Sequence, residues 1–556
     1  MPWRTLVCCL LALLFAESAL AQQDGLLQLN DPFHRFLQRQ QVLGRLPDAF
    51  LSHQPLSAYE AQRYLDSLDA FAGVFSPVDA QLYARFRGEA PGPGVASFRK
   101  LLPFAFRNGR DFISTQHEDY AFQVNPLVYL SYGRARQSQR GDREASVPVW
   151  QNTRGARASG HIGKHIFFET RLEENQRRDV WPAFQAADDT APRLGNTKFD
   201  EDSQSYDYWF VTGVVGFRSK YFEVRFGRDQ NRWGFGQNSL LLSNYATTYD
   251  QLQIRTTFWR LQYTNLFTSL SDPNPAVREF VPRRYGAFHR LAMNLTGRLQ
   301  AEIFEAIMFA SSDSLGLRDS GLELAYLNPV IFYRAVEIER AGLLDNALLG
   351  GGLAWVAMPG LRFHTQLLLD ELQVSQIGKG WWGNKWGWLA GVDLVDWPLS
   401  NLWLRLEYAR LRPYLYSHRT PTSAYLHYND LLGHPAGPNA QDVALSLDYQ
   451  PTEHLRTALN LAYTERGRNT ATENFGSDPS ISSNSRVSST DVKLLQGVPQ
   501  KQWLVEAYVS YEWLPNAYLD LALRAESIDD ATTGLDRYVA PFVTLRWGLP
   551  FQSVRY

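Results

Sequence analysis

Segments of roughly ten residues that alternate apolar and polar side chains recur along this chain, yet after its first 21 residues no apolar run reaches the ~20 residues needed to cross a membrane as a helix. The first residues read as a secretory leader. Arg4 precedes an apolar run from Leu6 to Phe15, and Ala19-Leu20-Ala21 has the small-x-small form of a cleavage site. Within lipid only helices and closed barrels satisfy every backbone polar group. An exported chain with period-two alternation and no long apolar run is therefore expected to be an outer-membrane β-barrel. Cys8 and Cys9 lie inside the leader, so the mature part carries no cysteine. That excludes a disulfide scaffold and a Cys-ligated zinc site, and a lipid-anchored N-terminus is not expected, since no cysteine follows the leader.

Composition agrees with this class. Hydrophobic residues make up 45%, charged residues 20%, and mean hydropathy is −0.31, because only every second strand residue of a barrel faces lipid. The 16 Trp, 27 Tyr and 32 Phe suit girdles at the two membrane interfaces. A net charge of −2 gives no basic excess, so nucleic acid is not an expected partner.

Residues 28–90 read as helices. Asp31-Pro32 forms an N-cap with proline at the first helical position, Ser57-x-x-Glu60 has capping-box form with Tyr64, Leu65 and Leu68 after it, and Ser76-Pro77 opens a third helix. Pro91-Gly92-Pro93-Gly94 then breaks the chain. The expected organisation is a leader over 1–21, a small helical domain over 22–95 placed in the periplasm, and a barrel over 96–556. So small a domain needs a surface to dock on.

From about residue 118 the period is two. Leu402, Leu404, Leu406 and Tyr408 share one strand face, with Trp403, Arg405, Glu407 and Ala409 on the other. The same holds for Phe222, Val224 and Phe226 against Glu223 and Arg225, and for Leu519, Leu521 and Leu523 against Asp520 and Arg524. Connections are tight at 219–220, 358–360, 397–400, 451–453 and 514–516, but long and polar at 134–158, 173–204, 412–441 and 466–500. Such barrels keep short turns in the periplasm and long loops outside, which places the four polar stretches at the cell surface. The fold class expected is mainly β, a transmembrane antiparallel barrel of about 18 strands with a small N-terminal helical domain, ending near Tyr556. Pro329 to Ala341 reads as a helix between strands, a plug or a loop cap.

Several passages resemble the Wzi-type capsule-assembly family and its gliding-motility relatives. They are the stretch from Phe226 through Asn244, Tyr326 to Tyr333, Asp345 to Gly350, Arg412 to His418, and Tyr425 to Pro435. The likeness spans about 205–465. It implies an 18-stranded outer-membrane barrel with a periplasmic helical bundle and a plugged lumen. It also implies a lectin-like role holding exported capsular polysaccharide at the surface.

Read physically, Gly234 and Gly236 permit tight turns, and Arg228 and Arg232 suit carbonyl or carboxylate partners in the lumen or a ligand. Trp381, Trp382, Trp386 and Trp388 form one aromatic cluster, and Tyr414, Tyr416, His418, Tyr425, His427 and Tyr428 a second. Flat rings beside polar side chains suit pyranose faces and hydroxyls, although girdle packing and loop folding explain the same rings. The glycan-binding candidates are therefore Arg228, Arg232, Trp381, Trp382, Tyr414, Tyr416, His418, Tyr425, His427 and Tyr428. His418, His427, His434 and Asp430 have irregular spacing, which favours backbone partners over a metal. No G-x-S-x-G, H-E-x-x-H or P-loop occurs, and no enzyme or cofactor is expected. Outer-membrane lipid, a surface polysaccharide and the barrel-assembly machinery are the expected partners. Three roles remain open at this point: a non-enzymatic polysaccharide-binding barrel, a porin, and a structural or adhesion component of a motility or secretion apparatus.

Overall fold

A computed structural model describes residues 25–139, 144–180, 190–191, 195–200, 202–272, 283–310, 324–330, 332–335 and 345–553. The leader with Cys8 and Cys9, Tyr556, and residues 331 and 336–341 of the expected helix lie outside these.

Eighteen strands close into an antiparallel transmembrane barrel. They are β1 (Tyr120–Ser138), β2 (Ala145–Ile162), β3 (Ile166–Arg178), β4 (Ser205–Arg218), β5 (Phe222–Asp229) and β6 (Tyr249–Phe258). Next come β7 (Leu261–Ser271), β8 (Arg283–Asn294), β9 (Leu299–Ala310), β10 (Asn346–Met358), β11 (Leu361–Glu371) and β12 (Lys385–Val395). The last six are β13 (Leu402–Leu411), β14 (Ala440–Tyr449), β15 (Leu455–Arg468), β16 (Val498–Leu514), β17 (Ala517–Asp530) and β18 (Gly534–Trp547). Each pairs with its chain neighbour, and β18 closes on β1 through Val543↔Tyr132.

The alternation sorts side chains as their period requires. Phe222, Phe226, Leu406, Leu519, Leu521 and Leu523 point outward and exposed, while Glu223, Arg225, Glu407 and Asp520 are buried inside. On the outward face of β16, Trp503 and Trp513 are both exposed. Ten residues at ~3.3 Å each, tilted by ~40°, put these rings about 25 Å apart in height, the thickness of a barrel's apolar band.

The five tight connections expected from the sequence fall at one end of the barrel and the long ones at the other, where β17 and β18 are joined by only residues 531–533. The stretch 134–158 departs from expectation, since most of it is strand in β1 and β2. Asn152, Arg154 and Ala156 interrupt the outward apolar pattern there, and Arg154 is matched across the ladder by Glu174 at 2.8 Å. Residues 173–178, 466–468 and 498–500 likewise extend β3, β15 and β16. A ladder continues past the acyl layer without an apolar face, so polarity alone did not end these strands.

The N-terminal region holds α1 (Pro32–Val42), α2 (Ala58–Asp66), α3 (Pro77–Phe86) and α4 (Val95–Leu101). Asp31, Ser57 and Ser76 cap the first three by accepting from Phe33, Glu60 and Asp79 backbone N–H groups. α4 follows the Pro-Gly break, with Gly94 in a left-handed conformation at its start. Phe36, Leu37, Leu65, Leu68 and Leu82 form a small core. The helices close the short-turn end of the barrel. Arg85 forks onto Glu512 at 2.5 and 2.6 Å, and Arg39 bridges Asp79 and Asp396 at 2.7 Å each. The segment before α2 enters the lumen, where Arg225 donates to Pro55 O at 2.8 Å, Arg290 to Ser52 Oγ at 2.5 Å, and Arg255 pairs with Glu60 at 2.7 Å.

The stretch expected as a plug helix lies elsewhere. Of it, residues 333–335 are helical, and the described part folds over the outside of β7–β9. Asn265, His289 and Glu305 stand opposite one another on the outward face of those strands. Polar groups there would otherwise meet acyl chains. The Tyr333 hydroxyl lies 2.7 Å from His289 Nε2, Arg334 N donates to Glu305, and Tyr263 donates to Pro329 O. Val330 and Phe332, 79% and 73% exposed, face away from the wall. This segment is an outer strap because the row it covers is polar.

Candidate functional site

Residues 230–248, between β5 and β6, turn inward across the lumen. Arg232–Trp233 pairs with His53–Gln54 from the N-terminal region, and Gly234 N donates to Ser52 O at 2.8 Å. Gly234 has φ +139°, and a Cβ there would lie 2.2 Å from Gln366 Nε2. At Gly236 a Cβ would meet Glu407 Oε1 at 2.5 Å, so the backbone approaches the wall only as glycine. Glu407 on β13 accepts from the backbone N–H of Gln237 and, at 3.0 Å, of Asn238. His364 stands 3.3 Å from both Glu407 and Asp393, and Asp393 holds Arg362 at 2.9 Å and Arg405 at 2.8 Å. Opposite charges are matched here, as burial demands.

Leu240, Leu241 and Leu242 are fully buried beneath the loop between β13 and β14. The Tyr416 and Tyr425 rings stack at 5.6 Å, and their hydroxyls donate to Leu240 O at 3.1 Å and Leu241 O at 2.5 Å. Tyr416 also accepts from His434 N at 3.1 Å, and Ser243 Oγ donates to Gly433 O at 2.6 Å. The passages that carry the family resemblance are thus largely the ones that knot these two loops together inside the mouth.

That placement decides the roles of the candidate residues. Tyr414, Tyr416, His418, Tyr425 and His427 are buried, and their polar atoms serve the loops. Tyr414 donates to Asn474 O at 2.7 Å, His418 Nδ1 accepts from Thr420 N at 3.2 Å, and His427 accepts from Ser271 N at 3.1 Å while its Nε2 faces Thr248 O at 3.1 Å. Burial, aided by Lys385 and Arg419, pushes the His418 pKa down to about 3. Burial does the same to His427, against the Thr248 hydrogen bond, also to about 3. Both rings are neutral members of the packing. Tyr428 is half-buried against the His427 ring. Arg228 shares the outward face of Val224 and Phe226, bonded to Thr248 at 3.0 Å rather than facing the lumen. Arg232 is buried within the lumen.

Trp381 and Trp382 remain half-exposed at the long-loop end, whereas Trp386 and Trp388 lie on β12, Trp388 exposed on its outward face. The loop between β15 and β16 rises around the first pair: Trp382 N donates to Ser489 O at 3.1 Å, and Ser483 N to His418 O at 3.2 Å. Arg486 lies over the Trp382 ring at 4.2 Å, held by Ser483 O and Ser489 Oγ at 3.1 and 2.9 Å. Sequence reasoning missed Arg486. The one available signal was a single cation inside the Ser/Asn-rich run 480–490. The outcome is an indole pair on the rim of the mouth, with a guanidinium over one ring and the Ser489 hydroxyl bonded to that guanidinium.

The profile of the family described as capsule assembly protein Wzi matches residues 345–527, from the start of β10 into β17. The resemblance to the Wzi family holds. Among solved structures, the Escherichia coli outer-membrane protein Wzi is described as a carbohydrate-binding β-barrel involved in group 1 capsule assembly. It aligns over 94% of this chain and 100% of its own at 13% identity, with a TM-score of 0.56. At that identity the likeness is one of fold. Pseudomonas aeruginosa OprD aligns over 77% of this chain and 96% of its own, at 12% identity and a TM-score of 0.41. A BenF-like porin from Pseudomonas fluorescens aligns over 77% and 99%, at 11% identity and a TM-score of 0.43. No curated protein sequence matches the chain.

Proposed function

We propose that this chain is a non-enzymatic outer-membrane barrel that binds exported polysaccharide at its long-loop end and supports capsule or exopolysaccharide assembly. In this reading the long loops face the cell surface and the helical region faces the periplasm. The carrying observation is the half-exposed Trp381–Trp382 pair with Arg486 stacked over Trp382 and held there by Ser489. Indole planes take the apolar faces of sugar rings, and the surrounding hydroxyl and guanidinium donors suit sugar hydroxyls or carboxylates. The Wzi family match and the barrel shared with Escherichia coli Wzi support the same assignment.

Trp382→Ala and Arg486→Ala are expected to release polysaccharide from the cell surface into the medium while leaving folded barrel levels unchanged. Full retention by both variants would remove this rim from consideration. Tyr416→Ala and His418→Ala are unsuitable tests of contact, because both residues hold the loops together.

A further inference from the structure

The lumen is filled unevenly. Along β6–β13 it is packed by the inward loop and its leucines. Along β14–β18 and β1–β4 it keeps two chambers, about 310 Å³ at the short-turn end and about 520 Å³ at the long-loop end. Gln28, Asn30, Asn244 and Phe551 border both. The chain after β18 helps build this partition by turning into the barrel, where Phe551 stacks on Tyr508 at 4.0 Å and Gln552 accepts from Gln151 at 2.8 Å.

The inner chamber is lined by eight arginines against five carboxylates. Arg85 and Arg456 are matched by Glu512 and Asp448, and Arg405 by Asp393. Arg232 differs. It is 7% exposed, has no carboxylate ion pair among the described residues, and its Nη2 has no hydrogen-bond partner. His34 Nε2 and Gln237 Oε1, on the same chamber, also lack partners. Burial and the neighbouring Arg405 lower the Arg232 pKa only to about 10, so it stays charged at neutral pH. The other arginines of the lining have carboxylate partners, some of them just behind the wall, as Glu169 is for Arg157 and Asp520 for Arg546. Arg232 has only the more distant Glu407 and Glu302, so an anion in the chamber would complete it. The volume lies at the lower end of the ~300–1,000 Å³ range of small-molecule pockets.

We propose that this chamber is a binding site for a carboxylate-bearing molecule of sugar size, with Arg232 as its charge partner and His34 and Gln237 as polar contacts. The site lies at the opposite end from Trp382 and uses other residues, so either reading can fail while the other stands.

The test uses the full chain in detergent micelles, titrated calorimetrically with sodium D-glucuronate and, as the neutral counterpart, D-glucose. Glucuronate is expected to bind and glucose not, and Arg232→Gln is expected to weaken glucuronate by about tenfold or more, the loss of a charge-assisted hydrogen bond. In unsubstituted protein, glucuronate should also shield Arg232 from phenylglyoxal, read by peptide mass spectrometry, and this decides the matter if the variant fails to fold. Absence of glucuronate binding, equal binding of glucose, undiminished affinity in Arg232→Gln, or an unshielded Arg232 would each overturn the proposal, leaving a chamber that holds only water.

Discussion

His418 and His427 show how a residue type that suggests ligand chemistry can serve packing instead. Each is held near pKa 3 by burial, against an ordinary value of 6.5. Below about 6.5 the unfolded loops take up protons that the folded loops refuse, so stability falls as pH drops from there toward about 3 and is fully present above that window. The heat-shifted gel mobility of the barrel should therefore reach its midpoint at lower temperature near pH 4.5 than near pH 7.5. His427→Gln should shrink that pH difference. An equal difference in variant and parent would show that these rings do not titrate on unfolding.

At the scale of elements, the strap over β7–β9 shows what a polar break in a membrane-facing wall requires. Asn265, His289 and Glu305 form a row that lipid cannot solvate, and the segment bearing Tyr326 and Tyr333 supplies the missing partners. Tyr333→Phe keeps the ring but removes the hydroxyl beside His289, and is expected to cost ~1–3 kcal/mol, the penalty for a buried polar group left unpaired. Denaturant unfolding in lipid vesicles measures this, and adding His289→Leu should recover part of the loss by making the row less polar. If Tyr333→Phe were as stable as the parent, the strap would not be satisfying that row. The helical region follows the same logic at the other end. Its caps and amphipathic helices are local, but its surface is completed by Glu512 at the end of β16 and by Asp396 and Asn401 of a barrel turn.

For the whole molecule, the consequence of the inward loop is a blocked bore. Trp233, Leu240, Leu241, Tyr416 and Tyr425 fill one side, and residues 26–30 and 550–553 separate the two chambers on the other. The intact chain is expected to give no large steady single-channel currents in planar bilayers, and replacing residues 235–245 with a short flexible linker should open a measurable conductance. Porin-like currents from the intact chain would contradict the packing described above.

The strand pattern was legible because a membrane barrel sorts lipid-facing from lumen-facing groups at period two, a signal that every strand repeats locally. The N-caps at Asp31, Ser57 and Ser76, and the tight turns, were legible for the same local reason. The stretch 134–158 was not, since Arg154 is matched by Glu174 on the next strand, a pairing that the run of polar residues does not itself show. The candidate site was read only in part. Trp381 and Trp382 are where an aromatic pair at a rim belongs, but nothing local distinguishes a tyrosine that meets a sugar from one that donates to Leu240 O. The sequence by itself determined a closed, two-faced sheet with a helical N-terminal region, because alternation and capping depend on near neighbours. Only the tertiary structure decided which loop turns into the bore, which strap covers the outer wall and which arginine has no ion pair among the described residues, because each depends on groups that meet from distant parts of the chain.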